Sequence, residues 1–132
     1  MLTDNLLVLK NATLFLAIGW TAIIAFLCLI KVNDLPSLGF SISNFDKYVH
    51  ITFHFVFTML WGFYSWQKNN KIEIKNIRNI IIISFCYGIL IEIMQELYTT
   101  TRHADVKDVI ANSAGAILAF GVFAVIKKAE VK

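Results

Sequence analysis

Charge is what this sequence has least of. Only 16% of its 132 residues are Asp, Glu, Lys or Arg, against about 25% in ordinary soluble domains. Proline occurs once and glycine six times, too little for a long linker, and no low-complexity tract is present. Residues 1–132 therefore read as a single domain. The two cysteines, Cys28 and Cys86, lie in separate apolar runs without a CxxC pair. They read as small packing residues rather than metal or redox ligands. HExxH, a Gly-rich phosphate loop and a Ser–His–Asp spacing are all missing. The net charge of +3 is not gathered into a basic face on a soluble scaffold, which excludes a nucleic-acid reader.

What is present is apolar. Hydrophobic residues make up 58% of the chain, and the mean hydropathy is +0.67. Four runs carry it: residues 12–30, 48–66, 79–95 and 109–126. A membrane helix needs about 17–25 such residues, so each run is long enough. Four buried helices of this kind in so short a chain would leave no polar shell for a soluble protein. The fold class expected is an all-α membrane protein, an antiparallel bundle of four transmembrane helices. The first run exceeds the usual apolar stretch of a signal peptide and lacks a small-x-small site before Lys31, so it reads as a span.

Lys and Arg set the expected orientation. With the N-terminus inside, Lys10, Lys68, Lys71, Lys75, Arg78, Lys127, Lys128 and Lys132 are cytoplasmic, while Lys31, Lys47, Arg102 and Lys107 are outside. Eight against four favours N-in and C-in. Tyr64 and Trp66 beside Lys68 suit the inner interface. The links between runs, of roughly 12–17 residues, are too short for a further domain.

On that topology the unusual side chains share one level. Asp46, Lys47, His50 and His54 open the second helix, Glu92, Gln95 and Glu96 close the third, and Arg102, Asp105, Asp108 and Asn112 lead into the fourth. Helix rise puts His54 and Asn112 within about 10 Å of the outer boundary. Asp46, His50 and His54 recur every fourth residue, and Asp105, Asp108, Asn112 and Gly115 also fall on one stripe. Gly115, with Ala111, Ala114, Ala116 and Ala119, gives the small surface that lets helices approach.

Glu92 would cost about 2.5–3.5 kcal/mol at the bilayer centre and less near the interface, so it needs a partner. Arg102 is the expected one, by length and fork geometry. The same three acids and bases, Glu92, Arg102 and Asp108, also fit a structural ion-pair network that closes the bundle end. Asp108 also reads as an N-terminal cap or first-turn acid, and Asn112 and Gln95 as interhelical hydrogen-bonding groups. His50 and His54, at i, i+4 with Asp46 or Glu92 nearby, offer a zinc site; hydrogen bonds to the carboxylates are the plainer expectation, and no resident cofactor is implied.

The ordered set is similar to a known family. Asp46-Lys47-x-x-His50 heads one span; Glu92-x-x-Gln95 follows, then Arg102, Asp108, Asn112 and Gly115 at intervals of seven, six, four and three residues. This resembles the VanZ-like family of small multi-span bacterial membrane proteins, over roughly residues 46–121. Two positions depart from it: His54 stands where an aromatic is commoner, and Ala119 where a second glycine is common. The resemblance implies a bacterial plasma-membrane location and, from the family's namesake, a role in teicoplanin resistance. On that basis the outer polar site is expected to bind or shield a lipid-linked wall precursor or glycopeptide. The alternative is an enzyme acting on a lipid or polyprenyl-phosphate headgroup by acid–base or metal-assisted chemistry. Membrane lipids are the expected surroundings, and the pattern specifies no oligomeric state.

Overall fold

The computed structural model describes residues 2–30, 45–99 and 103–130. Four helices account for nearly all of them: α1 (Leu2–Leu29), α2 (Phe45–Asn69), α3 (Ile74–Tyr98) and α4 (Val106–Glu130). Among the described residues there is no strand. A helix of 25 residues is about 37 Å long, enough to cross a hydrocarbon layer of about 30 Å. Three helices, α1, α3 and α4, are long and apolar enough to cross a membrane. α2 is less apolar because its first turns hold Asp46, Lys47, His50 and His54. It nonetheless packs against all three others.

α2 and α3 overrun their apolar runs by about a turn, so the link between them shortens. Only residues 70–73 join α2 to α3. Asn70 turns the corner with φ of 53°, a left-handed conformation that Asn tolerates better than most residues. The link expected between the second and third runs is thus largely helical ends, because Gln and Lys continue a helix once it leaves lipid.

Burial is inverted relative to a soluble bundle. Large apolar side chains such as Phe15, Phe26, Ile83, Leu97, Ile110 and Val125 are exposed on the outside. His50, His54, Ser84, Glu92, Asp108 and Asn112 are buried inside. Water would reverse that arrangement, whereas lipid favours it. Lys68 ends α2 and Lys127 and Lys128 end α4, all at the bundle end opposite Asp46.

α2 and α4 form the central pair, and Gly115 is why they can. A Cβ at Gly115 would fall on the Ile51 carbonyl oxygen and the Phe55 backbone nitrogen of α2. Ala119, where the family often has a second glycine, is fully buried, so a methyl group fits one turn further on. Near the opposite end, Phe123 packs over Gly62 and joins Ile72 and Ile77 in an apolar cluster.

α1 docks on α2 and α3 and, among the described residues, does not meet α4. Ile24 and Cys28 pack on Phe57 and Ile91. Polar rivets fix the register: Trp20 Nε1 donates to the Phe53 carbonyl (3.0 Å), Trp61 Nε1 to Thr21 Oγ1 (3.2 Å) and Tyr87 Oη to the Thr21 carbonyl (2.6 Å). Such interhelical bonds in lipid are worth about 0.6 kcal/mol each. Trp20→Phe keeps the ring contact and loses one bond. It should lower the midpoint of an SDS-unfolding titration by an amount equivalent to about 0.5–1 kcal/mol; an unchanged midpoint would mean the bond does not hold α1 in place.

Candidate functional site

The polar end of the bundle is built around Asp105. It is the last residue before α4, and its Oδ1 accepts the backbone N–H of Lys107 (2.8 Å), so it caps the helix. Its Oδ2 accepts from Lys47 Nζ of α2 (2.8 Å), and its own N–H donates to Glu92 Oε2 of α3 (3.0 Å). One residue thereby ties three helices. The cap is Asp105, while Asp108 is the first-turn acid.

Asp108 lies one turn into α4 and is buried. Its Oδ1 accepts from Lys47 Nζ, and its Oδ2 lies 3.5 Å from His50 Nε2. Asp46 flanks both, 3.9 Å from Lys47 Nζ and 3.8 Å from His50 Nε2, with its side chain about half exposed. The other imidazole nitrogen, Nδ1, donates to Asn112 Oδ1 (3.0 Å). Asn112 is buried between α2 and α3 because Gly88 leaves room there: a Cβ at Gly88 would sit 2.8 Å from Asn112 Nδ2.

Asp46, Lys47, His50, Glu92, Asp105, Asp108 and Asn112 thus form one connected network. Two expected members turn elsewhere. His54 is one turn deeper and shares a 2.8 Å hydrogen bond with Ser84 of α3, with no carboxylate partner. Gln95 faces α1, where its Nε2 donates to the Cys28 carbonyl (2.9 Å). Arg102, expected to pair with Glu92, lies outside the described residues. Glu92 accepts the Asp105 backbone N–H, and among the described residues its second oxygen, Oε1, is buried without a hydrogen-bond partner. Glu96 accepts the Ala104 N–H (2.9 Å) and faces His103 at 3.5 Å, closing the α3–α4 connection at the surface. Ser84 and Gly88 are the site residues that sequence reasoning missed; a hydroxyl and a glycine in a long apolar helix were the only signal.

Lys47 Nζ, followed by the Lys107 N–H, holds the Asp105 carboxyl below its ordinary value of 3.8. A depressed carboxyl stabilises the fold above its unfolded pKa, and that contribution disappears as pH falls through the folded value. The Asp105 share of stability should therefore persist down to about pH 4 and vanish below it. Melting temperatures of the protein and of Asp105→Asn, followed with acidification, should converge below that point; parallel curves throughout would contradict the Lys47–Asp105 bond.

The fold and this network define a helical membrane protein that buries a charged cluster at one end of its bundle. The family follows from comparison: the VanZ/LLP1 family model matches residues 3–127, nearly the whole chain, and the protein belongs to the VanZ-like family. No curated protein and no solved structure matches the chain.

Proposed function

We propose that the chain holds the polar headgroup of a membrane amphiphile at the Lys47 end of the bundle. The ligand would be a lipid-linked wall precursor or a teicoplanin-type glycopeptide, and that end would face outward from a bacterial plasma membrane. The observation that carries this reading is the convergence of Lys47, His50, Glu92, Asp105 and Asp108 from three elements at one end. Between its two ends the bundle presents apolar side chains outward. Ionisable groups at membrane depth are costly and tend to be functional. The Lys and Arg asymmetry supports the orientation, and family membership supports the envelope role.

The binding step follows from exposure. Lys47 bonds two carboxylates, Asp105 at 42% side-chain exposure and Asp108 at 7%. An anionic phosphate or carboxylate would displace the accessible Asp105 and leave Asp108 holding the lysine in place. Arg102, in the chain between α3 and α4, would supply a forked second grip. A cleft of about 230 Å³ lined by Phe57, Trp61, Ile80, Ile83 and Tyr87 with Thr21 offers an apolar tail a place beside α1.

The test is teicoplanin susceptibility, beside vancomycin, of a glycopeptide-sensitive bacterium expressing the protein, Lys47→Met or Arg102→Ala, with membrane insertion of each confirmed. Wild type should protect and both variants should not. Full protection by the variants would overturn the proposed grip. The placement of His50 between two carboxylates favours one second reading, acid–base cleavage of a headgroup phosphate. Release of phosphate from a polyprenyl-linked substrate by purified protein would select it.

A further inference from the structure

We infer that Asp46, His50 and Asp108 form a divalent-cation site of the zinc type. The inference goes beyond headgroup binding and does not depend on it. One ligand atom from each residue lies within 4.8 Å of the other two. His50 Nε2 faces Asp108 Oδ2 at 3.5 Å and Asp46 Oδ1 at 3.8 Å. These separations are too long for hydrogen bonds. They are close to the edge of about 3.3 Å between neighbouring ligands of a tetrahedral zinc with bonds of about 2.0 Å.

The imidazole is prepared for this role. Because Nδ1 donates to Asn112 Oδ1, Nε2 of the neutral ring carries the lone pair, and that lone pair points at two carboxylate oxygens. Three acceptors facing one another repel unless a cation or a proton lies among them. The outer hydrogen bond that fixes the tautomer is the usual support of a metal-binding histidine. Asn112 is itself buried between α2 and α3.

Glu92 gives a second, separate sign. Glu92 is only 3% exposed, and among the described residues its Oε1 has no hydrogen-bond partner. It lies within electrostatic reach of both His50 and Asp108. Among the described residues, Lys47 is the cation bonded to the cluster, and it engages Oδ1 of Asp108, leaving Oδ2 to the proposed site. A divalent ion at Asp46, His50 and Asp108 would offset the negative charge of Asp46, Asp105 and Asp108 that Lys47 alone leaves unbalanced. Its fourth position would be open to water or to a ligand oxygen, as in zinc sites with three protein ligands.

The ligand set differs from the one expected from spacing. His54, the i+4 neighbour, is engaged with Ser84, and Asp108 from α4 takes its place. Sequence proximity could not place that third ligand, because it comes from another helix.

The test uses the full chain, freed of any affinity tag, in detergent or nanodiscs. The protein is stripped with a chelator, equilibrated with Zn2+ or with Co2+ as its visible reporter, and separated from free metal. The expected result is about one equivalent of metal per chain with the visible bands of tetrahedral Co2+. Affinity should fall roughly tenfold or more in Asp46→Asn and in His50→Gln. Asp46→Asn is the safer variant because its side chain is half exposed and its removal leaves the buried network intact. His103→Ala, at the exposed Glu96–His103 pair, should retain the metal. Two results would overturn the site: no metal retained by folded wild-type protein, which would leave a proton shared by His50 and the acids, or uptake lost in His103→Ala and kept in Asp46→Asn and His50→Gln.

Discussion

Replacing Gly115 with alanine is expected to be among the most damaging single-methyl changes in the protein. The added Cβ meets backbone on both sides, the Ile51 carbonyl oxygen and the Phe55 nitrogen, and backbone in a helix cannot rotate away as a side chain can. Relief requires α4 to move off α2. That would separate Lys47 and His50 from Asp105, Asp108 and Asn112, so packing and the polar site would fail together. Overpacking of this kind costs about 1–3 kcal/mol, and the lost cluster contacts place the expected value at or above the upper end. Gly121→Ala is the matched control: nothing lies within 4 Å of a Cβ there, and alanine favours the helix by up to about 1 kcal/mol. Unfolding midpoints of the two variants should move in opposite directions. Equal midpoints would contradict the close α2–α4 approach.

Asp108→Ala carries the second large effect. Asp108 is buried and serves Lys47 with one oxygen while facing His50 with the other. Removing one partner of a buried pair costs about 3–5 kcal/mol because the other charge is left behind. Lys47 is about a quarter exposed and keeps Asp105, so the loss should fall near 3 kcal/mol. Asp46→Ala removes a carboxylate from the same cluster, but one that is half exposed and at 3.8–3.9 Å; its stability effect should stay within about 0.5 kcal/mol. Chemical unfolding of the two variants, side by side, measures the difference. Comparable losses would mean that burial does not rank these acids.

Much of this arrangement was legible in the chain, for identifiable reasons. Four apolar runs in 132 residues left a helical membrane bundle as the workable fold, and alternating helices brought Lys47, Glu92 and Asp108 to one end. Spacing was less informative about direction. Residues four apart on a helix differ by about 40° and residues eight apart by about 80°, so the stripe from Asp46 through His50 rotates away by His54, which meets Ser84. Gln95 lies about 60° from Glu92 around α3, enough to turn it to α1 and the Cys28 carbonyl. Gly115 comes back to within about 20° of Asp108, and so it marks the face of α4 that meets α2. The roles of Asp105 and Glu92 were not legible, because both depend on a backbone N–H at a helix start. Side-chain patterns carry no record of that bond.

The central claim is that the Lys47–Asp105–Asp108 end of the bundle receives a headgroup rather than only closing the fold. Native mass spectrometry of the purified protein, presented with a polyprenyl-pyrophosphate-linked sugar beside phosphatidylglycerol, tests it most directly. The wild type should retain the polyprenyl-linked ligand in preference to the phospholipid. Lys47→Met, shown to be folded, should lose that preference. Equal retention of both lipids by the wild type, or an unchanged preference in Lys47→Met, would contradict a headgroup site at Lys47.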